Sequence, residues 1–352
     1  MTSYMPKAIS RAMLEALPKI ELHRHLEGSL RLTSLVEIAR EYRLDVPADT
    51  IETLRPHVQV MPNSNYTHET FLSKFATIRK FFCAPEVIQR IAREAVEDAA
   101  EENIHYMELR FTPKALAQAG NFPFDDVVEW VCDAVAAAQK NYPIQVRLIV
   151  SFNRHESVED GRRAIQAAFD YRHRGVVGID LAGQEATHSA EPFRDMFLEA
   201  HQAGMPFTIH AGEWAGAENV RFALEALGST RIGHGVRIFE DPQLVGMARE
   251  RGVFFEVCPT SNYQSGVCGS LRLHPVRLMY AQGLNVTLNT DDPLLCNITM
   301  ADELQNAVNV FGFTYEDIRR LTVNAAHASF LPNEERAALI AAIQSAFESV
   351  SA

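Results

Sequence analysis

Short apolar stretches alternate with longer amphipathic stretches along most of the chain. Eight of the apolar stretches predict β-strands, because each is short and is bounded by turn residues or charged residues. They cover residues 19–25, 105–111, 145–152, 176–182, 206–211, 231–234, 253–258 and 284–290. A stretch with helical spacing follows each predicted strand. Eight strand-then-helix units in succession predict an α/β fold, a (β/α)8 barrel of the TIM type with parallel strands.

The same pattern predicts elements outside the eight units. Seven helices after the strands are predicted at residues 32–42, 124–141, 158–175, 192–203, 219–227, 242–251 and 274–282, and the chain after the eighth strand is helical. Extra helices are predicted at residues 7–17, 71–82 and 85–103. Residues 44–70 contain Pro47, Pro56 and Pro62 and predict an irregular lid inserted after the first strand. We expect residues 1–352 to form a single domain.

Composition narrows the class of protein. Hydrophobic residues make up 47% of the 352 residues and charged residues 22%, which is typical of a folded globular protein. The net charge of −12 and the lack of a Lys/Arg-rich run argue against nucleic-acid or anionic-membrane partners. No apolar run approaches the roughly 20 residues that span a bilayer.

The expected location is the cytoplasm. Five cysteines, an odd number without a Cys-x-x-Cys pair, suit reduced thiols better than a disulfide framework. The start, at residues 1–7, lacks the basic and apolar regions of a signal peptide.

Residues of the kinds that bind metals cluster at the predicted strand ends. His23 and His25 are two residues apart on one strand, so both side chains point the same way. His210, His234 and Asp291 each lie at the end of a later predicted strand. Because the C-terminal ends of the strands carry the chemistry of such barrels, we expect these five residues to meet there.

The residue types favour a catalytic zinc site. Zinc in such sites binds three or four nitrogen or oxygen ligands and one water, whose pKa falls towards about 7. His23, His25 and His210 offer nitrogens and Asp291 an oxygen. Glu213 lies three residues beyond His210, where a carboxyl suits proton transfer rather than metal binding.

Two further residues lie beside the predicted metal site. His234 stands between two glycines, in a tight turn that brings its ring close to a ligand. Asp292 is adjacent to Asp291, where it can orient water or accept a hydrogen bond from a substrate.

Six stretches, in order along the chain, resemble the adenosine deaminase family, a branch of the amidohydrolase-type zinc barrels. They are Glu-Leu-His-Arg-His-Leu-Glu-Gly at 21–28, Asp-Leu-Ala-Gly at 180–183, His-Ala-Gly-Glu at 210–213, Ile-Gly-His-Gly at 232–235, Cys-Pro-Thr-Ser-Asn at 258–262 and Leu-Asn-Thr-Asp-Asp-Pro at 288–293. Each is modestly specific, but the ordered set is highly specific.

The resemblance implies zinc-dependent hydrolysis of adenosine to inosine and ammonia, with one zinc per chain. It implies that His23, His25, His210 and Asp291 bind the metal, and that His25 also contacts the substrate.

The resemblance also implies roles around the purine. Glu213 would give a proton to N1, which makes C6 electrophilic. His234 would orient and deprotonate the attacking water and steady the developing alkoxide. Asp292 would bond N7, and the N–H of Gly183 would bond N3.

One departure leaves the group carried at N9 open. Nucleoside-specific members commonly have Asp at the ribose-contacting position where this chain has Glu27. Free adenine, or an adenosine with a modified ribose such as aminofutalosine, is therefore an alternative substrate.

Other classes are less favoured by the residues present. AMP would need a cationic phosphate pocket, and no basic cluster lies near the motifs. A binuclear hydrolase would commonly have a bridging lysine at the end of the fourth strand, where residues 180–183 contain none. An inactive purine-binding protein would have lost Glu213 or a metal ligand, and none is lost. The oligomeric state is left open.

Overall fold

The computed structural model describes residues 9–62 and 64–351, and at their centre lie eight parallel strands. The strands are hydrogen-bonded in sequence order, which confirms the predicted (β/α)8 barrel. Each predicted strand is confirmed within two residues at either end. The strands are β1 (Lys19–His25), β2 (Ile104–Phe111), β3 (Gln145–Asn153), β4 (Val176–Ala182), β5 (Phe207–Ala211), β6 (Arg231–His234), β7 (Phe254–Val257) and β8 (Asn285–Leu288).

Helices connect and surround the strands. Before β2 they are α1 (Arg11–Ala16), α2 (Leu32–Glu41), α3 (Ile51–Val58), α4 (His68–Ile78) and α5 (Pro85–Glu101). Between β2 and β8 they are α6 (Pro113–Gly120), α7 (Phe124–Ala138), α8 (Val158–Asp170), α9 (Arg194–Gln202), α10 (Ala217–Glu225), α11 (Pro242–Glu250), α12 (Pro259–Gln264) and α13 (Val276–Ala281). After β8 they are α14 (Pro293–Cys296), α15 (Met300–Asn309), α16 (Tyr315–Ala328) and α17 (Asn333–Ser351). Of the helix predicted at 7–17, residues 7 and 8 lie outside the described residues.

The strands are buried on both faces, as the apolar runs predicted. On β2, Met107, Leu109 and Phe111 belong to the hydrophobic core, whereas the alternate residues Glu108 and Arg110 are buried polar side chains. Arg110 reaches across the barrel to Glu256 on β7, and the two side chains are 2.7 Å apart. The barrel interior is therefore charged, which is possible because these charges pair with one another.

The contact between the ends of the sheet positions one of the predicted metal ligands. Asp291, just after β8, pairs with Arg24 of β1 in a parallel bridge. The N–H of Asp291 donates to the carbonyl of His23, and the N–H of His25 donates to the carbonyl of Asp291, both at 2.9 Å. These bonds fix the Asp291 carboxylate beside the two histidines of β1.

The insertion after β1 is more ordered than its prolines predict. Helix α3 lies within the stretch expected to be irregular, so that prediction is wrong over residues 51–58. Thr50 caps this helix by accepting from the N–H of Thr53, and Pro56 is accommodated in its second half. The next helix of the insertion, α4, lines a cavity at the C-terminal end of the barrel with Phe71, Leu72 and Phe75, whereas the described part of residues 44–70 does not line it.

Within the described part of the chain, no helix combines the length and the apolar character needed to cross a membrane.

Candidate active site

The side chains predicted to bind a metal meet at the C-terminal end of the barrel. His23 and His25 of β1 and His210 of β5 each place a ring nitrogen within 4.8 Å of the others. Asp291 Oδ1 lies 3.3 Å from the Nε2 atoms of both His23 and His25. His234, at the end of β6, completes a second group with His23 and Asp291 at the same spacing. The structure therefore brings together all five strand-end residues that the sequence analysis selected.

Two buried carboxylates fix the hydrogen positions on two of these rings. His23 Nδ1 lies 2.8 Å from Glu256 Oε2, and His210 Nδ1 lies 2.9 Å from Asp180 Oδ1. Although burial favours the neutral carboxyls, Arg231 and Arg110 hold the pKa of Glu256 below its usual range, and His210 and Arg110 do the same for the pKa of Asp180. An ionised carboxylate only accepts hydrogen bonds, so each Nδ1 is the donor, and in the neutral ring that binds a metal each Nε2 keeps its lone pair.

The unshared lone pairs of this cluster fit a metal cation. His23 Nε2 is buried and finds no hydrogen-bond partner among the described residues, although Asp291 Oδ1 is 3.3 Å away. Both atoms present lone pairs, so a positive charge between them would stabilise their approach. Burial lowers the pKa of His25 and of His210, which keeps both rings neutral and able to bind a metal. Imidazole nitrogens and a carboxylate oxygen are the ligands of catalytic zinc sites.

Two residues of the site have a backbone conformation that residues other than glycine rarely adopt. Asp291 has a φ of 63° and His234 a φ of 62°, both in the left-handed region. Ser261 Oγ donates to Asp291 Oδ2 at 2.6 Å, which leaves Oδ1 directed to the histidines. Strained backbone of this kind persists where the surroundings hold a residue in a functional position.

Glu213 lies at the floor of the cavity, as its position after His210 predicted. Its Oε2 is 3.6 Å from His234 Nε2. Burial raises the pKa of Glu213 well above its usual range, and the negative charges of Asp291 and Glu185 add to the effect. Glu213 therefore holds a proton that it can donate to a bound molecule.

Glu185 holds the loop that carries Glu213, and the sequence analysis did not identify it. Its two carboxylate oxygens accept from four successive backbone N–H groups, those of residues 212–215, at 2.6 to 3.2 Å. Asn219 Nδ2 also donates to Glu185, at 3.1 Å. These contacts join residues 27 to 34 positions apart, so no local sequence pattern reveals them.

We expect Glu185→Gln to destabilise the protein and to slow turnover while zinc is retained. Each oxygen of Glu185 accepts at least two N–H bonds, so a glutamine NH₂ in either orientation would oppose buried donors. The expected loss in the free energy of unfolding is about 2–3 kcal/mol. Chemical denaturation and ammonia release would measure the two effects.

Glu218→Gln is the matched control for Glu185→Gln. Glu218 accepts from the N–H of Gly216 in the same loop, at 3.2 Å, but its side chain is exposed. We expect Glu218→Gln to change the free energy of unfolding by no more than about 0.5 kcal/mol. Equal effects of the two substitutions would contradict the role of Glu185.

The cluster opens into a cavity of about 260 Å³ that contains the other predicted site residues. Glu27 Oε1 accepts from the N–H of Thr112 at 2.8 Å, while the buried Oε2 has no partner within the described chain. Asp292 Oδ1 is likewise buried and unpartnered among those residues. Burial, followed by the charges of Asp291 and Glu27, raises the pKa of Asp292 well above its usual range. Asp292 is therefore a hydrogen-bond donor when neutral, and it faces the same space as Glu27.

Two glycines allow the chain to approach this cavity closely. Gly183 has a φ of 90°, and a Cβ there would lie 2.8 Å from the Cβ of Asn153. A Cβ on Gly28 would lie 1.9 Å from Asp292 Oδ1. Larger residues at either position would displace the groups that line the cavity.

The cavity contains a cationic side chain that the sequence did not reveal. Arg79, just after α4, and His155, just after β3, line it together with Glu27. Arg79 was not expected at the site, because it is distant in the chain from all of the motifs. Glu27 and Arg79 therefore bring a carboxyl group and a guanidinium group to the wall of the same cavity.

Comparisons of the sequence with known proteins identify one family. A sequence profile of the family described as adenosine deaminase matches residues 18–346. An adenosine deaminase of Klebsiella pneumoniae is 37% identical over 325 residues, covering 92% of this chain and 97% of the relative.

Two solved structures share the fold. An amidohydrolase from Burkholderia ambifaria with bound Zn superposes with a TM-score of 0.87 at 27% identity, covering 99% of this chain and 96% of the other. An adenine deaminase from Arthrobacter aurescens also has a TM-score of 0.87, at 26% identity, covering 96% of this chain and all (100%) of the other.

Proposed function

This chain belongs to the adenosine deaminase family of zinc-dependent hydrolases of C–N bonds, and we propose that it hydrolyses adenosine to inosine and ammonia. The observation that carries the proposal is the donor set of the cavity. A 6-aminopurine has acceptor nitrogens at N1, N3 and N7. The cavity offers a protonated Glu213, the backbone N–H of Gly183 and a neutral Asp292. Three donors thus match three acceptors.

We assign the metal to His23, His25, His210 and Asp291, whose ring nitrogens and carboxylate oxygen converge at this end of the barrel. Zinc held there would lower the pKa of a bound water towards about 7 and would so supply a nucleophile at neutral pH. Asp180 and Glu256 hold two of the ligand rings in the tautomer that presents Nε2. His25 also lines the cavity, so it contacts the substrate as well.

The protein groups then act on the purine ring. Glu213 donates its proton to N1, which draws electron density from C6 and makes that carbon electrophilic. Asp292 at N7 and the N–H of Gly183 at N3 hold the ring in the plane required for attack. His234 orients the attacking water and steadies the negative charge that develops on the oxygen joined to C6. The C6–N bond breaks as the C6 oxygen becomes the carbonyl of inosine, which keeps the hydrogen at N1. Of the two protons of the attacking water, one passes to the amino group, which leaves as ammonia, and the other returns Glu213 to its acid form.

Glu27 favours a nucleoside over the free base. Its side chain lines the cavity, and its buried Oε2 has no partner among the described residues, so a ribose hydroxyl would satisfy it. The adenine deaminase from Arthrobacter aurescens keeps free adenine as the second candidate. Arg79 on the same wall makes AMP the third substrate to test.

We expect the wild type to deaminate adenosine with a higher kcat/KM than adenine, 5′-deoxyadenosine or AMP. When the substrate lacks the hydroxyl, the buried carboxylate is left without a hydrogen bond, and binding weakens by about 1.5–3 kcal/mol. The kcat/KM for an analogue that lacks one hydroxyl should therefore be about 10- to 100-fold lower. Ammonia release, measured for each compound with the zinc-loaded protein, gives the ratios.

Two substitutions separate the length of Glu27 from its charge. Glu27→Asp keeps the charge and shortens the side chain, whereas Glu27→Gln keeps the length and removes the charge. We expect both to reduce the discrimination between adenosine and its deoxy analogue. If adenine is the best substrate of the wild type, or if neither substitution changes any ratio, the nucleoside assignment is wrong.

We also propose a single catalytic domain and a cytoplasmic location. The family profile spans residues 18–346, which supports one domain. All five cysteines are free thiols, which supports a reducing compartment.

A further inference from the structure

Asn262 connects Glu213 to His234 and to a histidine outside the cavity. This residue is fully buried in α12. Its Nδ2 lies 3.1 Å from Glu213 Oε1 and 3.1 Å from His234 Nδ1. Its Oδ1 lies 3.2 Å from His274 Nε2. One amide group therefore makes three hydrogen bonds, two of them to residues that face the substrate.

His274 determines which way this amide points. The N–H of Val276, at the start of α13, donates to His274 Nδ1 at 3.1 Å. Nδ1 is thus an acceptor, and the hydrogen of the neutral ring must be on Nε2. Burial lowers the pKa of His274 to about 3, so the ring is neutral at physiological pH. Nε2–H then requires the oxygen of Asn262 on its side, and the NH₂ group must face the cavity.

The orientation of Asn262 fixes where two catalytic protons lie. Because its NH₂ donates to Glu213 Oε1, the acidic hydrogen of Glu213 is left on Oε2, the oxygen nearer to His234 Nε2. Because the same NH₂ donates to His234 Nδ1, the hydrogen of that ring is left on Nε2. A reversed amide would present its oxygen to both groups. It would draw the Glu213 hydrogen to Oε1 and the His234 hydrogen to Nδ1, away from the purine.

We propose that His274 is a positioning residue for the deamination. Through Asn262 it holds the proton of Glu213 on Oε2 and the hydrogen of His234 on Nε2, although it does not line the cavity. This inference rests on the proposed function for its effect on rate, but the proton positions themselves are independent of the substrate.

The rate test compares three variants of the zinc-loaded protein. His274→Leu removes the donor while keeping a buried side chain, and His274→Gln restores an N–H donor. His105→Leu is the control: its Nε2 lies 3.2 Å from Asn103 Oδ1, a His–Asn pair of equal length at the start of β2, the opposite end of the barrel. We expect His274→Leu to lower kcat about tenfold with KM nearly unchanged. In His274→Gln we expect kcat to lie within about threefold of the wild-type value.

Nuclear magnetic resonance of protein labelled with ¹⁵N at histidine tests the proton positions directly. In the wild type we expect both His234 and His274 as the Nε2–H tautomer, with the signals assigned from His234→Gln and His274→Gln. In His274→Leu the His234 signals should shift towards the Nδ1–H form. The main result, the tautomers of the two rings in the wild type, does not depend on His274→Leu, so it stands even where that variant fails to fold.

The outcomes distinguish the role of His274 from the proposed deaminase activity. An Nδ1–H tautomer of either ring in the wild type overturns the inference. So does a kcat for His274→Leu equal to that of His105→Leu. Failure of the wild type to release ammonia from any 6-aminopurine would instead overturn the proposed function and leave the tautomer result intact.

Discussion

Glu213→Gln should keep its zinc and its fold yet lose about 10²- to 10⁴-fold in kcat, the range for a positioned general acid. The glutamine oxygen can still accept from Asn262, now 3.1 Å from Oε1, so the local hydrogen bond survives. The amide has no proton to give to N1, so C6 stays a poor electrophile. Zinc content by elemental analysis, the melting temperature and ammonia release would be measured together.

A second buried carboxyl provides the control for Glu213→Gln. Glu303 is fully buried, accepts from the N–H of Thr260 at 2.8 Å, and burial raises its pKa to about 7. Glu303→Gln therefore also replaces a buried and partly neutral carboxyl, but outside the cavity. We expect it to retain most of the turnover. Near-normal turnover of Glu213→Gln would remove Glu213 from the proton-transfer role, and loss of its zinc would make it a ligand in place of Asp291.

The strands were predictable because their signal is local. A parallel barrel buries each strand on both faces, so β4 is a short, mostly apolar run whose bounds the sequence predicts without error. The short helices were not predictable from spacing. Helix α14, with four residues, and α12, with six, are too short to show an amphipathic period. The helical segment α3 was obscured by Pro56, which the structure accommodates.

The predicted site residues share a local signal, since each lies at the end of a strand. Their supporting residues do not. Glu256 supports His23 across 233 positions of the chain, and Glu185 holds a loop 27 positions away. Asn262 lay within a stretch that carried the family resemblance, but its role depends on His274, twelve positions further along the chain. Contacts of this kind follow from the closure of the barrel and from loop packing, which periodicity does not encode.

His210→Ala should lose both the metal and the activity. His210 is one of three imidazoles whose ring nitrogens lie within 4.8 Å of one another, and it is the only one of the three contributed by β5. Its removal leaves two nitrogens and one carboxylate, and it also leaves Asp180 without the ring that it orients. We expect zinc to fall from about one per chain to a small fraction of that, and ammonia release to fall below detection.

Thermal unfolding gives a readout of zinc binding that does not depend on catalysis. A metal that binds only the folded state raises the melting temperature, so adding zinc to metal-free wild type should stabilise it. The same addition should leave His210→Ala nearly unchanged. His201→Ala is the control, because His201 is exposed on α9, close before β5, and its loss should preserve the zinc response. Two tightly bound zinc ions per wild-type chain would contradict the single site, and full zinc retention in His210→Ala would contradict the ligand assignment.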